Sequence, residues 1–186
     1  MLKPDLPIAT DRLDLRLFTA DDLDALYAYY RLPEVTTYLL HGPRTREETA
    51  ASLTRRMATT AFEKEGDALV LAVVLRETGE LVGDVMLEWV SEHNRTGEFG
   101  FVFNPAFHGR GYASEAAVEM LRLGFEELEL RRIVGRCEAR NTASAALMER
   151  LGLRREAHFV ENLLVKGEWN SELVFAMRAE EWAARS

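Results

Sequence analysis

The sequence predicts a single mixed α/β domain over residues 1–186, with elements in the order β-α-α-β-β-β-α-β-α-β-β. Residues 68–75 are all apolar, which is typical of a strand covered on both faces. Residues 111–128 carry a broad apolar stripe at helical spacing, and no linker, charge block or repeat marks a domain boundary. The composition, 47% hydrophobic and 29% charged, is globular, and a chain of 186 residues buries about 70% of its unfolded surface.

The first part of the chain contains one predicted strand and two predicted helices. Residues 13–17 (LDLRL) alternate apolar and polar side chains, as a half-buried strand does. A helix is predicted over 19–30, because its first residue is a threonine suited to capping, and Pro33 ends it. A second helix is predicted over 45–62, because its opening residues, TREE, have the spacing of a capping box.

Three strands follow as a predicted meander. The apolar strand 68–75 is joined through the turn 77–80 to a partner strand over 81–90. A second polar turn leads to the strand 97–104, GEFGFVFN. These strands are expected to form the centre of the sheet.

The longest predicted helix, 111–128, is followed by a strand over 132–139. This helix should therefore be a right-handed crossover between two parallel strands. The remaining predicted elements are a helix over 142–151 and strands over 153–165 and 171–178.

Charge and cysteine content narrow the function classes. The net charge of −8 argues against a nucleic-acid binder, which needs a basic surface. The single Cys137 excludes an internal disulfide and a multi-cysteine zinc site, and the four histidines lack metal-ligand spacing, so we predict no metal. No segment has the ~20 apolar residues of a membrane helix, and the first residues lack the pattern of a secretory signal. We therefore expect a cytoplasmic protein with no membrane partner.

Residues 108–113 (HGRGYA), which we call the glycine loop, carry the clearest chemical signal. The helix that follows starts at two glycines with no obvious side-chain cap, so its first backbone amides are free. Free amides and the helix dipole together form an anion site, and Arg110 adds a cation beside it. The sequence therefore predicts a phosphate ligand here, with a plain glycine-rich turn as the alternative.

Two well-known phosphate loops do not match. A Walker loop needs Gly-Lys-Ser/Thr, and none of the three lysines has that context. A Rossmann fingerprint needs a third Gly or Ala where this chain has Ser114. A nicotinamide-dependent oxidoreductase is therefore a distant alternative.

Residues 97–116 (GEFGFVFNPAFHGRGYASEA) resemble the acetyl-CoA-binding motif of the GNAT superfamily of N-acetyltransferases. Asn141–Ser144 followed by Leu151–Leu153 resembles the next motif of that superfamily. The opening, residues 10–18, and the ending, Lys166–Trp169 with Glu181-Trp182, are similar to the branch that contains the ribosomal-protein N-terminal acetyltransferases. The resemblance spans nearly the whole chain. It implies a mostly antiparallel sheet of about seven strands with about four helices, splayed between the fourth and fifth strands.

The resemblance also implies the residues that bind acetyl-CoA. The diphosphate would be held by His108, Gly109, Arg110, Gly111, Tyr112 and Ala113 through their backbone amides, with Ser114 nearby. The pantetheine arm would pair with the backbone of Phe101, Val102 and Phe103, and the Asn141 side chain would hold its far end. His108 stands where the superfamily pattern has Gln or Arg, which is a mild departure because backbone amides do most of the binding.

The reaction needs a group to take a proton from the attacking amine and another to protonate the leaving thiolate. Glu98 precedes the pantetheine-binding stretch, and we hypothesise that it accepts the amine proton, directly or through water. Met148 stands where many members of the superfamily have a tyrosine acid, and it can donate no proton. Ser144 is then the candidate acid. The alternatives are an exposed strand carboxylate for Glu98 and a packing or capping role for Ser144.

We interpret the chain as an N-acetyltransferase that moves an acetyl group from acetyl-CoA to an amine. A protein N-terminal amine is the leading acceptor, and a small amine such as an aminoglycoside, polyamine or amino acid is the alternative. A CoA-binding regulator without turnover is a further alternative, although Glu98 and Ser144 are both retained. Homodimers are common in the branch, so a homodimer is a possible assembly.

Overall fold

Eight strands form one continuous sheet in the computed structural model, which describes residues 1–185. The strands are β1 (Ile8–Ala9), β2 (Leu13–Arg16), β3 (Ala68–Leu75), β4 (Leu81–Ser91), β5 (Thr96–Phe103), β6 (Arg132–Glu138), β7 (Arg154–Val165) and β8 (Glu168–Arg178). Their order across the sheet is β1-β2-β3-β4-β5-β6-β8-β7. Neighbours are antiparallel except β5 and β6, which are parallel as predicted.

The helices lie between these strands and after the last one. Those within the described residues are α1 (Leu23–Tyr30), α2 (Pro33–Thr36), α3 (Arg46–Ala58), α4 (Tyr112–Arg122), α5 (Thr142–Arg150) and α6 (Ala179–Ala183). A 3-10 turn precedes α1, and one stretch of π-helix, residues 123–127, continues α4.

The parallel pair β5–β6 separates partway along its length. Residues from Thr96 to Phe99 pair with residues 132–135, and the pairing ends there, although β5 runs on to Phe103 and β6 to Glu138. The splay between the fourth and fifth predicted strands is confirmed at this point. Beyond it, no strand within residues 1–185 pairs with β5 on its β6 side.

Strand β3 shows why the sequence there is apolar without interruption. Leu71 and Val73 belong to the core that contains α4 and α5, whereas Ala72 and Val74 belong to a second core with α1 and α3. Both faces of β3 are therefore covered, and the prediction of a strand buried on two sides is confirmed.

Helix α4 packs its apolar stripe on the sheet. Ala116, Ala117, Met120 and Leu121 are fully buried. A Cβ at Gly124, in the π-helical stretch, would lie 2.5 Å from the Ile133 side chain, so the close approach of this segment to β6 requires glycine.

The observed elements differ from the predicted ones mainly where an element is short. Strand β1 has only two residues, and α2 and α6 have four and five, so none shows a usable periodicity. Pro33 begins α2 rather than only ending α1, because proline is well tolerated in the first turn of a helix. Helix α3 ends at Ala58 rather than at Phe62, and Phe62 instead bridges to Leu2 and is fully buried.

No helix within residues 1–185 is long and apolar enough to cross a membrane.

Candidate active site

The glycine loop connects β5 to α4 and has the backbone geometry expected of an anion site. Gly109 and Gly111 adopt φ values of 74° and 83°, in the left-handed region that favours glycine. Gly111 is the N-cap of α4, and no side chain caps the helix there. The first turn of α4 therefore presents uncapped amides, as predicted from the sequence.

Most of the loop amides are unengaged. Within residues 1–185, the N–H groups of Gly109, Arg110 and Gly111 donate to no backbone or side-chain acceptor. The N–H of His108 differs, since it donates to the carbonyl of Pro105 at 3.1 Å. The free donors of the loop are therefore those after His108.

The His108 side chain ties the start of the loop to the end of β5. Its Nε2 lies 3.1 Å from the carbonyl oxygen of Phe103. Asn104 accepts a hydrogen bond from the N–H of Ala106 and so caps the short 3-10 turn between β5 and the loop. The residue that departs from the superfamily pattern thus fixes the loop against the strand.

A cleft of about 670 Å³ runs from the glycine loop into the splay. This volume is in the range of small-molecule sites. It is lined by α2 and the residues after it, the end of β5, the loop with the start of α4, and α5: Glu34, Val35, Tyr38, Leu39, Phe101, Val102, Phe103, Phe107, His108, Gly109, Gly111, Tyr112, Ala113, Ser114, Asn141, Ala143, Ser144, Leu147 and Arg150. The cleft thus collects the predicted binding residues, except that Arg110 and Glu98 do not line it.

Asn141 and Ser144 stand together at the start of α5. The Asn141 side-chain oxygen accepts from the N–H of Ser144 at 3.1 Å and caps the helix. Its amide nitrogen has no acceptor in the described chain, so it is available to a ligand. Ser144 is largely buried at 9% exposure, yet it lines the cleft.

Met148 and Cys137 lie near Ser144, but neither lines the cleft. Met148 is buried in the core and lies near Gly135 of β6. Burial raises the pKa of the Cys137 thiol, against the opposing effect of the neighbouring Ser144 hydroxyl. Cys137 is therefore a neutral, half-buried thiol at ordinary pH.

Glu98 lies at the base of the splay rather than in the cleft. Its carboxylate oxygen Oε2 accepts from Nε of Arg136 at 3.0 Å. Burial raises the pKa of Glu98 above its usual value, and the Arg136 guanidinium opposes that effect. Glu98 and Val102 share one face of β5 because they are an even number of residues apart, and Val102 lines the cleft.

The second wall of the cleft was not specified by the sequence analysis. Glu34, Val35, Tyr38 and Leu39 line it from α2 and the segment that follows. The ammonium of Lys166, at the β7–β8 turn, donates to the carbonyls of Thr36 and Thr37 at 2.8 and 2.9 Å. The turn from β7 to β8 thus holds the end of α2 in place. Proline at the start of a helix was the available signal for this element.

The buried tyrosines of α1 form a cluster that lies behind the cleft lining. Tyr29 donates a hydrogen bond to Asp84 at 2.8 Å and Tyr30 does so at 3.1 Å, and Arg56 donates to the Tyr30 oxygen at 2.7 Å. The side chains of Tyr29, Tyr30 and Asp84 are buried. The cluster joins α1 and α3 to β4 and does not itself line the cleft, although Asp84 is the cross-strand partner of Val102, which does.

Comparisons with known proteins agree with this geometry. Residues 12–154 match the family described as Acetyltransferase (GNAT) domain. The chain is 35% identical to the uncharacterized N-acetyltransferase YnaD of Bacillus subtilis over 176 residues, which are 94% of this chain and 98% of the relative. A solved GNAT-family acetyltransferase from Bacillus anthracis superposes with a TM-score of 0.84 at 34% identity, covering 94% of this chain and 99% of that one. A Vibrio cholerae structure, provisionally named as a ribosomal-protein-serine acetyltransferase, superposes with a TM-score of 0.78 at 27% identity. The match covers 95% of this chain and 99% of that one.

Proposed function

This chain belongs to the GNAT family of acetyltransferases, and from that membership we propose that it acetylates a protein N-terminal amine with acetyl-CoA. The resemblance found in the sequence is confirmed, and the chain is accordingly an acyltransferase. The observation that supports the proposal best is the single cleft that joins the glycine loop to the splay. Residues 1–186 would form one domain, working in the cytoplasm as a monomer or homodimer.

The glycine loop fits the diphosphate of acetyl-CoA. Three consecutive N–H groups, Gly109 to Gly111, are free, and they are followed by the uncapped start of α4. An anion accepts hydrogen bonds from such amides and is favoured by the helix dipole. We assign the diphosphate to the backbone amides of residues 109–113, with Ser114 nearby.

The splay fits the extended pantetheine arm. Beyond Phe99 the edge of β5 that faces β6 has no partner strand within residues 1–185, so the backbone groups of Phe101, Val102 and Phe103 that point to this edge can bind a ligand, apart from the Phe103 carbonyl that His108 contacts. The free amide nitrogen of Asn141 stands at the start of α5, beside Ser144. The arm would therefore bring the thioester towards Ser144.

The bound thioester supplies an activated acetyl group, and the chain handles two protons. The amine nitrogen forms a bond to the carbonyl carbon while the carbon–sulfur bond breaks. Glu98 takes the amine proton through an intervening water, since its carboxylate lies outside the cleft. The Ser144 hydroxyl donates its proton to the departing sulfur and takes one in return from solvent water, so it ends the step as a neutral hydroxyl. General acid–base catalysis of this kind contributes about 10²–10⁴-fold to a rate.

The acceptor amine would enter beside α2 and the β7–β8 turn. Glu34 and Tyr38 lie on that wall, and Lys166 fixes it. The Vibrio cholerae relative, whose name specifies a ribosomal protein as acceptor, supports a protein N-terminus. The net charge of −8 suits a basic partner such as a ribosomal protein.

Two measurements test the proposal. Calorimetric titration with acetyl-CoA, CoA and NAD should show micromolar binding of both CoA compounds and none of NAD. Thiol release should then be measured with short peptides, with the same peptides blocked at the N-terminus, and with spermidine and an aminoglycoside.

The outcomes separate the alternatives. Release with free peptides and none with blocked peptides supports N-terminal acetylation. Release with a small amine alone would replace the protein acceptor by a small molecule. Binding of CoA without release by any acceptor would favour a regulator, and no CoA binding by folded protein would overturn the proposal.

A further inference from the structure

Arg12 connects the amino-terminal turn to the glycine loop. It lies between β1 and β2, about a hundred residues from the loop in sequence. Its Nη1 donates to the carbonyl oxygen of Arg110 at 2.9 Å. Its guanidinium also lies over the ring of Tyr112, 4.7 Å from the centroid. One side chain thus touches two residues of the glycine loop.

The same side chain neutralises a carboxylate in the first turn of α4. Glu115 receives hydrogen bonds from the backbone N–H of Arg12 at 3.0 Å and from its Nε at 2.8 Å. Glu115 also forms a salt bridge with Nη2 of Arg12 at 2.6 Å and accepts a hydrogen bond from the Thr10 hydroxyl at 2.6 Å. Although burial acts in the opposite direction, the hydrogen bonds from Thr10 and Arg12 hold the pKa of Glu115 below its usual value. Glu115 is therefore ionised at neutral pH.

An ionised Glu115 would compete with an anionic ligand. A negative side chain in the first turn of a helix interacts favourably with the same amides and dipole that attract a phosphate. Pairing with Arg12 offsets that charge, and it draws the carboxylate towards the β1–β2 turn.

The contact with Arg110 also sets the direction of one loop donor. In a trans peptide, the carbonyl of one residue and the N–H of the next point in opposite directions. Because the Arg110 carbonyl is bound by Arg12, the N–H of Gly111 points away from Arg12. That N–H has no acceptor in the described chain, and Gly111 lines the cleft.

We propose that Arg12 is a positioning residue for the diphosphate of acetyl-CoA, which aims the Gly111 amide at the ligand and neutralises Glu115. It acts through the loop and does not itself line the cleft. This inference rests on the proposed function, because it assumes that the glycine loop binds the diphosphate.

The test compares three variants, using ligands with and without the diphosphate. Calorimetry measures the affinity of R12Q, R12Q/E115Q and R122Q for CoA, and steady-state kinetics measures kcat/KM for acetyl-CoA and for acetyl-pantetheine, which lacks the diphosphate. R122Q is the matched control, because Arg122 lies in the same helix and pairs with Glu119 and Glu127 outside the cleft.

R12Q should weaken CoA binding about tenfold, since hydrogen bonds that involve a charged group contribute roughly 1.5–3 kcal/mol. Its kcat/KM for acetyl-pantetheine should stay at the wild-type value. Removal of both charges in R12Q/E115Q should recover part of the lost affinity, and R122Q should bind CoA as the wild type does.

If R12Q lost kcat/KM equally for acetyl-CoA and for acetyl-pantetheine, Arg12 would only support the fold. This result would overturn the inference and leave the proposed function intact. A double variant that binds CoA more weakly than R12Q would also overturn it. If the wild-type protein bound no CoA, the proposed function would fail and the inference with it.

Discussion

Arg136 on β6, one residue beyond the last paired position of that strand, holds Glu98 on β5, with 3.0 Å between Nε and Oε2. The same guanidinium reaches Glu172 on β8 at 3.0 Å. Glu98 is thus fixed in orientation at the point where the sheet opens. The fixed carboxylate can serve as a base without an ordering cost during the reaction.

Glu98→Gln should lower kcat by about 100-fold or more, because a neutral amide cannot accept the amine proton. In the wild type, activity should fall as the pH drops through the raised pKa of Glu98, since only the ionised form is a base. The measurement is kcat between pH 4 and pH 9, a range that starts below the usual pKa of a glutamate. Glu88→Gln, at the position opposite Glu98 on β4, is the matched control and should keep wild-type turnover. Unchanged turnover of Glu98→Gln across this range would remove Glu98 from the mechanism.

Arg136→Gln should move the acid side of the pH profile to higher pH. The guanidinium favours the ionised carboxylate, so its removal raises the pKa of Glu98 further. The measurement is the pH dependence of kcat/KM for the acceptor, in the wild type and in Arg136→Gln. Arg140→Gln, which removes a pair with Glu138 instead, should leave the profile in place. A profile that does not move would show that Arg136 has no electrostatic effect on the base.

Ser144→Ala should reduce turnover about tenfold to 100-fold and spare the affinity for acetyl-CoA. The backbone N–H of residue 144 would still be capped by Asn141, so α5 should be preserved. Turnover and calorimetric affinity should be measured side by side, with Thr142→Ala in the same helix as the control. A loss of affinity with little change in turnover would assign Ser144 a structural role.

Gly111→Ala should weaken CoA binding and lower stability by about 1 kcal/mol, because a side chain is strained at φ 83°. Gly66→Ala is the matched control: Gly66 has φ 91°, lies outside the cleft, and a Cβ there would meet nothing within 4 Å. Both variants should lose similar stability in chemical denaturation, and only Gly111→Ala should lose CoA affinity. Equal CoA affinities of the two variants would contradict the assignment of the loop.

Glu156→Gln should reduce stability slightly at pH 7 and by much less near pH 2. Hydrogen bonds from Arg132 and then Arg154 lower the pKa of Glu156 to about 2. A pKa lowered by folding contributes stability above the unfolded pKa, and this contribution is lost as the pH falls through the folded value. Because the pair is near the surface, the difference at pH 7 should be below about 1 kcal/mol. Denaturation of both proteins between pH 2 and pH 7 checks this, with the exposed Glu168→Gln as the control. A constant difference at all pH values would show that the charge of Glu156 does not stabilise the fold.

The long elements and the glycine loop could be predicted because their signals are local. Residues 68–75 form β3 with the predicted bounds, and α4 begins within one residue of its predicted start. Gly109 and Gly111 were sufficient to predict an uncapped helix start, since glycine has no side chain to cap a helix and readily adopts the positive φ values found here.

The parts that could not be predicted depend on distant residues. The partners Arg136 and Glu98 are 38 residues apart, and only the parallel register of β5 and β6 brings them together. Helix α2 has four residues, too few for a periodic pattern, although it forms a wall of the cleft. The change from α-helix to π-helix at Leu123 occurs where Gly124 packs closely on Ile133, a contact between distant residues that local sequence does not reveal.

The sheet is joined across β5 and β6 by only four residue pairs, from Thr96–Arg132 to Phe99–Gly135. Five strands lie on one side of this short seam and three on the other. A ligand arm laid against the open part of β5 would extend the pairing at the seam and protect the backbone amides of β5. Slower hydrogen–deuterium exchange at residues 100–103 would then measure the fraction of protein molecules that have bound acetyl-CoA, whatever the acceptor is.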